Sequence, residues 1–245
     1  MKTLPRECFL IVVSLVFATA LHASDTCGEE VKLLLSPEQV LSTATSLKAA
    51  KQRHTQIYFY DTPQLDLLAK GLILRIRQGA DNDFTVKLRP ASEQQFSARA
   101  KASLGFKCEG EVIDGVERPS YSIPNNYVAS SVPETGNELF PSLNEPQRQL
   151  LEASGIVLDW TQVRRVIVIH STSWTVHSQS PPLGKLSLEL WEWPNGKSLE
   201  ISTKVPADAG SSAFVELKDL AKRNHLDLSS DQRSKTATAL QSIAK

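Results

Sequence analysis

Two runs set close together, Leu72-Ile73-Leu74-Arg75-Ile76-Arg77 and Phe84-Thr85-Val86-Lys87-Leu88-Arg89, alternate polar and apolar side chains with a period of two. In a β-strand, residues two apart share a face and lie about 6.6 Å from one another. Arg75 and Arg77 therefore point one way, with Leu72, Leu74 and Ile76 pointing the other. Thr85, Lys87 and Arg89 share a face opposite Phe84, Val86 and Leu88. Each run reads as a strand with cations on one side and a packing surface on the other.

The same design recurs along the chain. Glu30 and Lys32 form a doublet, as do Glu109 with Glu111 and Gln162 with Arg164. Glu200, Ser202 and Lys204 line one face, backed by Leu199, Ile201 and Val205. Period-two patterning and β-branched or aromatic enrichment predict strands over residues 30–35, 55–60, 72–78, 84–88, 106–113, 163–170, 183–193 and 198–205. Pro194-Asn195-Gly196 is a hairpin signal between the last two.

Helices are fewer. Ser36-Pro37-Glu38 reads as an N-cap with proline at the first helical position, opening a helix to about Lys48. Residues 63–70 form a short helix closed by Gly71, and residues 145–154 another, stopped by Gly155. Residues 211–224 place Phe214, Leu217, Leu220 and Ala221 on one face, and a last helix is expected over 230–244. The polar, proline-bearing stretch 114–141 reads as the least structured part.

One strand with a charged face is ordinarily the wet side of a sheet. Six strands carrying matched doublets of both signs, with helices that need an apolar face to pack on, imply the reverse arrangement. The apolar faces look outward to the helices and the charged faces inward, into an eight-stranded antiparallel β-barrel with a polar lumen in an α+β chain. Charges in such a lumen must meet counter-charges, anions or water, because isolated buried charges are very costly. Arg and Lys suit phosphoryl oxygens, and neighbouring glutamates suit Mg²⁺ or Mn²⁺. The combination fits an elongated polyphosphate held with a divalent metal; a carboxylate-rich ligand or polyanionic sugar fits the charge alone less well.

Composition sets the outer limits. The 245 residues are 41% hydrophobic, with 27 basic against 27 acidic side chains, which excludes a disordered polymer and the usual footprint of a nucleic-acid binder. Lys2 and Arg6 followed by the apolar run 9–17 and small residues read as a secretory signal, cut after Ala20 or Ala23, with an uncleaved anchor as the alternative. The expectation is residues 1–23 as signal and 24–245 as one exported tunnel domain, periplasmic or secreted and free of the membrane after cleavage. Cleavage leaves Cys27 and Cys108, and in an oxidising compartment an isolated pair invites a disulfide; the alternative is two unrelated buried thiols. The five histidines are scattered, and neither a Walker A loop nor a G-x-S-x-G elbow exists. Trp174, Trp191 and Trp193 read as core or rim aromatics, with stacking on an organic triphosphate as the alternative.

These residues resemble the CYTH superfamily, the triphosphate tunnel metalloenzymes. The likeness is carried by Glu30-Val31-Lys32, by Tyr58-Phe59-Tyr60-Asp61-Thr62-Pro63 with Leu65-Asp66-Leu67-Leu68 and Gly71-Leu72, by the two arginine and lysine runs above, and by Glu109-Gly110-Glu111 and Ser234-Lys235, over about residues 28–240. The resemblance implies an eight-stranded tunnel that hydrolyses inorganic tripolyphosphate or a related triphosphate with Mg²⁺ or Mn²⁺. It assigns Lys32, Arg75, Arg77, Lys87, Arg89, Arg164 and Lys235 to triphosphate oxygens, and Glu30, Glu109, Glu111 and Glu200 to the metal. Three positions depart from the pattern. Gly28 stands where the family has its first glutamate, Ser202 replaces a late one, and Gln162 stands where many members place a lysine beside the reacting water. Glu189 or Glu192 is the candidate to compensate for the lost carboxylates, and no catalytic residue is assigned. These losses favour the alternative of a non-catalytic polyphosphate or polyanion-binding tunnel, and adenylyl cyclase activity is the least favoured reading for an exported chain.

Overall fold

The structure, a computed structural model, describes residues 27–90, 105–128 and 131–243. The expected signal segment lies outside the described residues. Nine strands form a closed barrel in the order β1 (Gly28–Leu35), β5 (Lys107–Ile113), β6 (Val116–Asn126), β4 (Asp83–Leu88), β3 (Leu72–Gly79), β2 (Ala50–Asp61), β7 (Arg164–His177), β8 (Lys185–Trp193) and β9 (Gly196–Val205), which returns to β1. All neighbours are antiparallel except β1 and β5.

All eight expected strands are present, and β6 is the ninth, built from a stretch expected to be the least structured. Its prolines disguised it, since proline cannot donate to a ladder. The first part of β6 pairs with β5 and the second with β4, the two sets overlapping only at Tyr121 and Ser122. Pro119 and Pro124 thus each lie where the strand has a single bonded neighbour, and their missing N–H groups can face the unbonded side.

Parallel pairing is slightly less stable per residue than antiparallel pairing, and the β1–β5 seam is stapled. Its first pair is Gly28 with Glu109, and the residues just before them form the disulfide Cys27–Cys108. The bridge spans a sequence separation of 81, worth about 4 kcal/mol by the chain-entropy model.

The outer faces of the barrel carry the packing that the alternation predicts. Helix α5 (Gly210–Arg223) lays Ala213, Leu217, Leu220 and Ala221 against Val31, Leu33, Leu199 and Ile201. Helix α4 (Glu145–Ser154) buries Leu150 and Leu151 against Phe84, Tyr121 and Ile123. The Gln147 amide of this helix donates to the carbonyls of Phe84 and Ile123 at 2.7 and 3.0 Å, pinning it across β4 and β6.

Shorter helices finish the connections. The helix expected from Ser36 to Lys48 is a 3₁₀ turn, Pro37–Gln39, followed by α1 (Val40–Ser46). Helix α2 (Asp66–Ala69) is held by the buried Asp61, whose carboxylate accepts from the backbone N–H groups of Thr62, Leu67 and Leu68 at 2.7–3.0 Å. Gly71 then turns the chain with φ +76°, and a Cβ there would meet the Arg89 carbonyl oxygen at 2.5 Å. Helix α3 (Gly136–Leu139) carries a capping box from Thr135 and Glu138. The last helix is shorter than expected, α6 (Lys235–Gln241), and its Ala239 and Leu240 pack at one end of the barrel against Ile57, Phe59, Ile73, Ile169 and Trp191.

Candidate functional site

The lumen is a cavity of about 380 Å³ that, among the described residues, nine lysines and arginines line against six carboxylates. The charged faces therefore look inward. Glu30, Lys32, Arg75, Arg77, Lys87, Arg89, Glu109, Glu111, Glu200, Ser202, Lys204 and Lys235 all line it.

Glu111, fully buried, is the hub of one network. It receives Lys32 at 3.3 Å and contacts Lys87 and Arg89, while Lys32 also holds Glu30 at 2.9 Å. Burial disfavours the Glu111 carboxylate, but the three cations outweigh it and hold its pKa well below the usual range. Burial likewise works against the Lys32 ammonium, which Glu30, Glu111 and Glu200 nevertheless stabilise, raising its pKa. Lys87 goes the other way: burial, with Lys32 and Arg89 nearby, lowers its pKa despite Glu111.

A second network enters with α6. Ser234 caps that helix by accepting from the N–H of Ala237 at 3.2 Å and also accepts from Arg89 at 3.0 Å. This fixes Lys235 with its ammonium against Glu189, 3.0 Å from Glu200 and 4.5 Å over the Trp191 ring. Burial opposes the Glu189 carboxylate, yet Lys235 and the Ser171 hydroxyl pull its pKa down to about 2.

The two arginines of β3 are less well matched. Arg77 is forked onto Asp83, with Asp81 at 3.7 Å, whereas Arg75 reaches Asp83 only at 4.0 Å and its buried Nε has no hydrogen-bond partner among the described residues. Burial and the neighbouring Arg77 lower the Arg75 pKa. An under-paired guanidinium in a cationic cavity is a place prepared for an anion.

Arg164 is a correction. It is exposed, does not line the cavity, and starts β7 beyond a register break that falls between Phe59 and Tyr60 of β2. There it bridges Thr135, outside the lumen. Gln162 is likewise exposed in the turn before β7, so this doublet does not face the tunnel. The inward side of β7 instead carries Ile167 and Ile169 in the apolar cluster, then Ser171, which reaches Glu189, and Ser173 on the cavity wall.

Sequence reasoning passed over Asp83, although it shares the period-two face of Thr85 and Lys87. It gave Lys204 no role and weighed Glu189 only as a substitute carboxylate. Glu189 and Trp191 share one face of β8; Glu192, the other substitute considered, is exposed. The tryptophans are core aromatics: Trp191 and Trp193 are buried, and Trp174 packs against the outer cluster.

The residues present do not fit a metal centre. Glu30, Glu109, Glu111 and Glu200 offer the hard oxygens that Mg²⁺ or Mn²⁺ prefers, but each is committed to a lysine or arginine. Among the described residues no three Asp, Glu, His or Cys side chains group so as to hold an ion.

A closed β-tunnel with helices outside and paired charges inside, with cations in excess, is the class of protein that these features define. The chain belongs to the CYTH family: the model of the CYTH domain matches residues 29–234. Two solved structures share the fold. One is a candidate adenylate cyclase from Bacillus halodurans, with a TM-score of 0.59 and 14% identity over 87% of this chain and 97% of that one. The other is a candidate adenylyl cyclase from Hippeastrum, described as having a dominant triphosphatase activity, with a TM-score of 0.59 and 18% identity over 88% and 95%. No curated protein sequence matches the chain.

Proposed function

We propose that the protein takes a linear triphosphate, inorganic tripolyphosphate or a close relative, into its tunnel and acts on it as a phosphohydrolase. Arg75 carries the reading: a half-buried guanidinium whose buried Nε has no partner among the described residues, on a wall shared with Arg77 and Lys87. Family membership and the triphosphatase activity described for the Hippeastrum protein support the hydrolytic half.

In that reading, water attacks the terminal phosphorus and the P–O anhydride bond breaks, giving orthophosphate and pyrophosphate. Phosphoryl transfer of this kind is catalysed mainly by positioning and by neutralising charge on the phosphoryl oxygens. Arg75, Arg77, Lys87 and Arg89 supply donors along one wall. Glu111 and Asp83 hold those donors in place.

A second reading, capture of the anion without turnover, is favoured by the absence of a converging carboxylate set among the described residues. Phosphate release from tripolyphosphate, followed in EDTA, Mg²⁺ and Mn²⁺, separates the two. The hydrolase reading requires release in at least one condition; thermal stabilisation by tripolyphosphate with no release in any leaves capture alone. Arg75→Ala with Arg77→Ala is expected to abolish that stabilisation, and an unchanged melting shift would place the site elsewhere. Export is part of the proposal, supported by the basic and apolar start of the chain and by the disulfide. N-terminal sequencing of protein recovered outside the cytoplasm tests it; an intact Met1 there would overturn the cleavage.

A further inference from the structure

The register of β1 with its neighbours shows what replaced the missing carboxylates. Gly28 pairs with Glu109, Lys32 lies opposite Ser202, and Glu30 lies opposite Lys204, the next inward residue of β9. The Lys204 ammonium contacts Glu109. Burial disfavours that ammonium, but Glu109 and Glu30 both stabilise it and raise its pKa. Deeper in, the Lys235 ammonium sits between Glu189 and Glu200, which face each other across β8 and β9. Glu111 is taken by Lys32, Lys87 and Arg89. Where carboxylates are brought near one another, a lysine from the chain already lies between them.

We infer that Lys204 and Lys235 occupy the place that a divalent cation would need, so that the tunnel captures its triphosphate as the free anion and not as a metal complex. The inference rests on the triphosphate reading above and adds to it the form in which the ligand is recognised. A bound divalent ion cancels part of the ligand charge to which an excess of cations responds. It would also have to displace an ammonium from a pair of glutamates, leaving that ammonium without its partners. Magnesium is therefore a competitor here, not a helper.

Titration calorimetry of the purified chain with sodium tripolyphosphate, in EDTA, in Mg²⁺ and in Mn²⁺, tests this. The expected result is binding in EDTA at least as tight as in either metal. Binding in Mg²⁺ or Mn²⁺ with none in EDTA would overturn the inference while leaving the triphosphate reading intact, and no binding in any arm would overturn both. Lys204→Ala sharpens the test, because its side chain is 68% exposed and its loss leaves the core untouched. In EDTA this variant should bind roughly tenfold more weakly, the order expected for one lost charge-assisted contact. With Glu109 released, and Glu30 held by Lys32 alone, Mg²⁺ or Mn²⁺ should restore part of the affinity. Affinity that is unchanged in EDTA, or that stays indifferent to metal, would remove Lys204 from the role.

Discussion

The two walls of the tunnel are built on opposite rules. On β1, β3, β4, β5 and β9 the inward positions hold lysines, arginines and glutamates, nearly all ion-paired. On β2 and β7 the inward positions hold Ile57, Phe59, Ile167 and Ile169, packed with Ile73 and Trp191. The walls touch: Ile57 pairs with Arg77 and Phe59 with Arg75 in the β2–β3 ladder. A dry apolar wall excludes water from one side of the charges and lowers the local dielectric, which strengthens each remaining electrostatic contact and raises the cost of each unmet one. The charged wall selects the ligand, and the apolar wall sets how strongly that selection is felt.

Glu111→Gln is the sharpest way to break this division. The substitution keeps the shape of the side chain but takes a full negative charge away from Lys32, Lys87 and Arg89. Leaving buried charges without their partner costs about 3–5 kcal/mol, which for a chain of this size lowers the melting temperature by roughly 10 °C. Tripolyphosphate should restore more stability to this variant than to the parent, since the anion supplies the missing charge. Differential scanning calorimetry with and without the anion reads both effects; an equal or smaller ligand-induced shift in the variant would show that the three cations do not face the bound anion.

Ile169→Ala probes the other wall. Ile169 is fully buried and pairs with Ile57 inside the lumen. Its truncation should cost about 2–5 kcal/mol through lost burial and the cavity left behind. That loss should be independent of salt and should leave the ligand-induced melting shift unchanged. A shift that falls with it would mean that the apolar wall touches the anion directly.

The difference between the walls also explains what could be read in advance. The charged wall was legible because each doublet sits two residues apart on a strand with an oily reverse, and Arg75, Arg77, Lys87, Arg89, Glu109 and Glu111 all fell where that pattern puts them. Lys235 could be assigned only by likeness, since a helix residue entering a barrel end leaves no period-two trace. The apolar wall was not legible. On β2, Ile57 and Phe59 point inward while Tyr58 and Tyr60 join the outer cluster, so both faces are apolar and alternation carries no signal. Arg164 failed for a different reason: it starts β7 past a point where the β2–β7 ladder skips Val166, and such a break leaves no period-two trace. Strand β6 was hidden by prolines that divided pairing makes harmless.

Ser171→Ala gives the smallest effect, and it tests the line where the walls meet. The Ser171 hydroxyl donates to Glu189 at 2.6 Å from the otherwise apolar side of the lumen. Removing one hydrogen bond to a charged group costs about 1–3 kcal/mol. The sign of its pH dependence follows from the Glu189 pKa, which folding lowers from 4.5 to about 2, burial being outweighed by Lys235 and Ser171. A carboxylate depressed in this way stabilises the fold fully above its unfolded pKa, and the contribution is lost as pH falls toward the folded value. With the hydroxyl gone the folded pKa rises, so the variant should lose stability at higher pH than the parent. The two proteins should differ most above pH 4.5 and converge near pH 2. Melting curves across that interval check this; a gap that persists unchanged to pH 2 would mean that Ser171 matters for packing and not for holding the charge of Glu189.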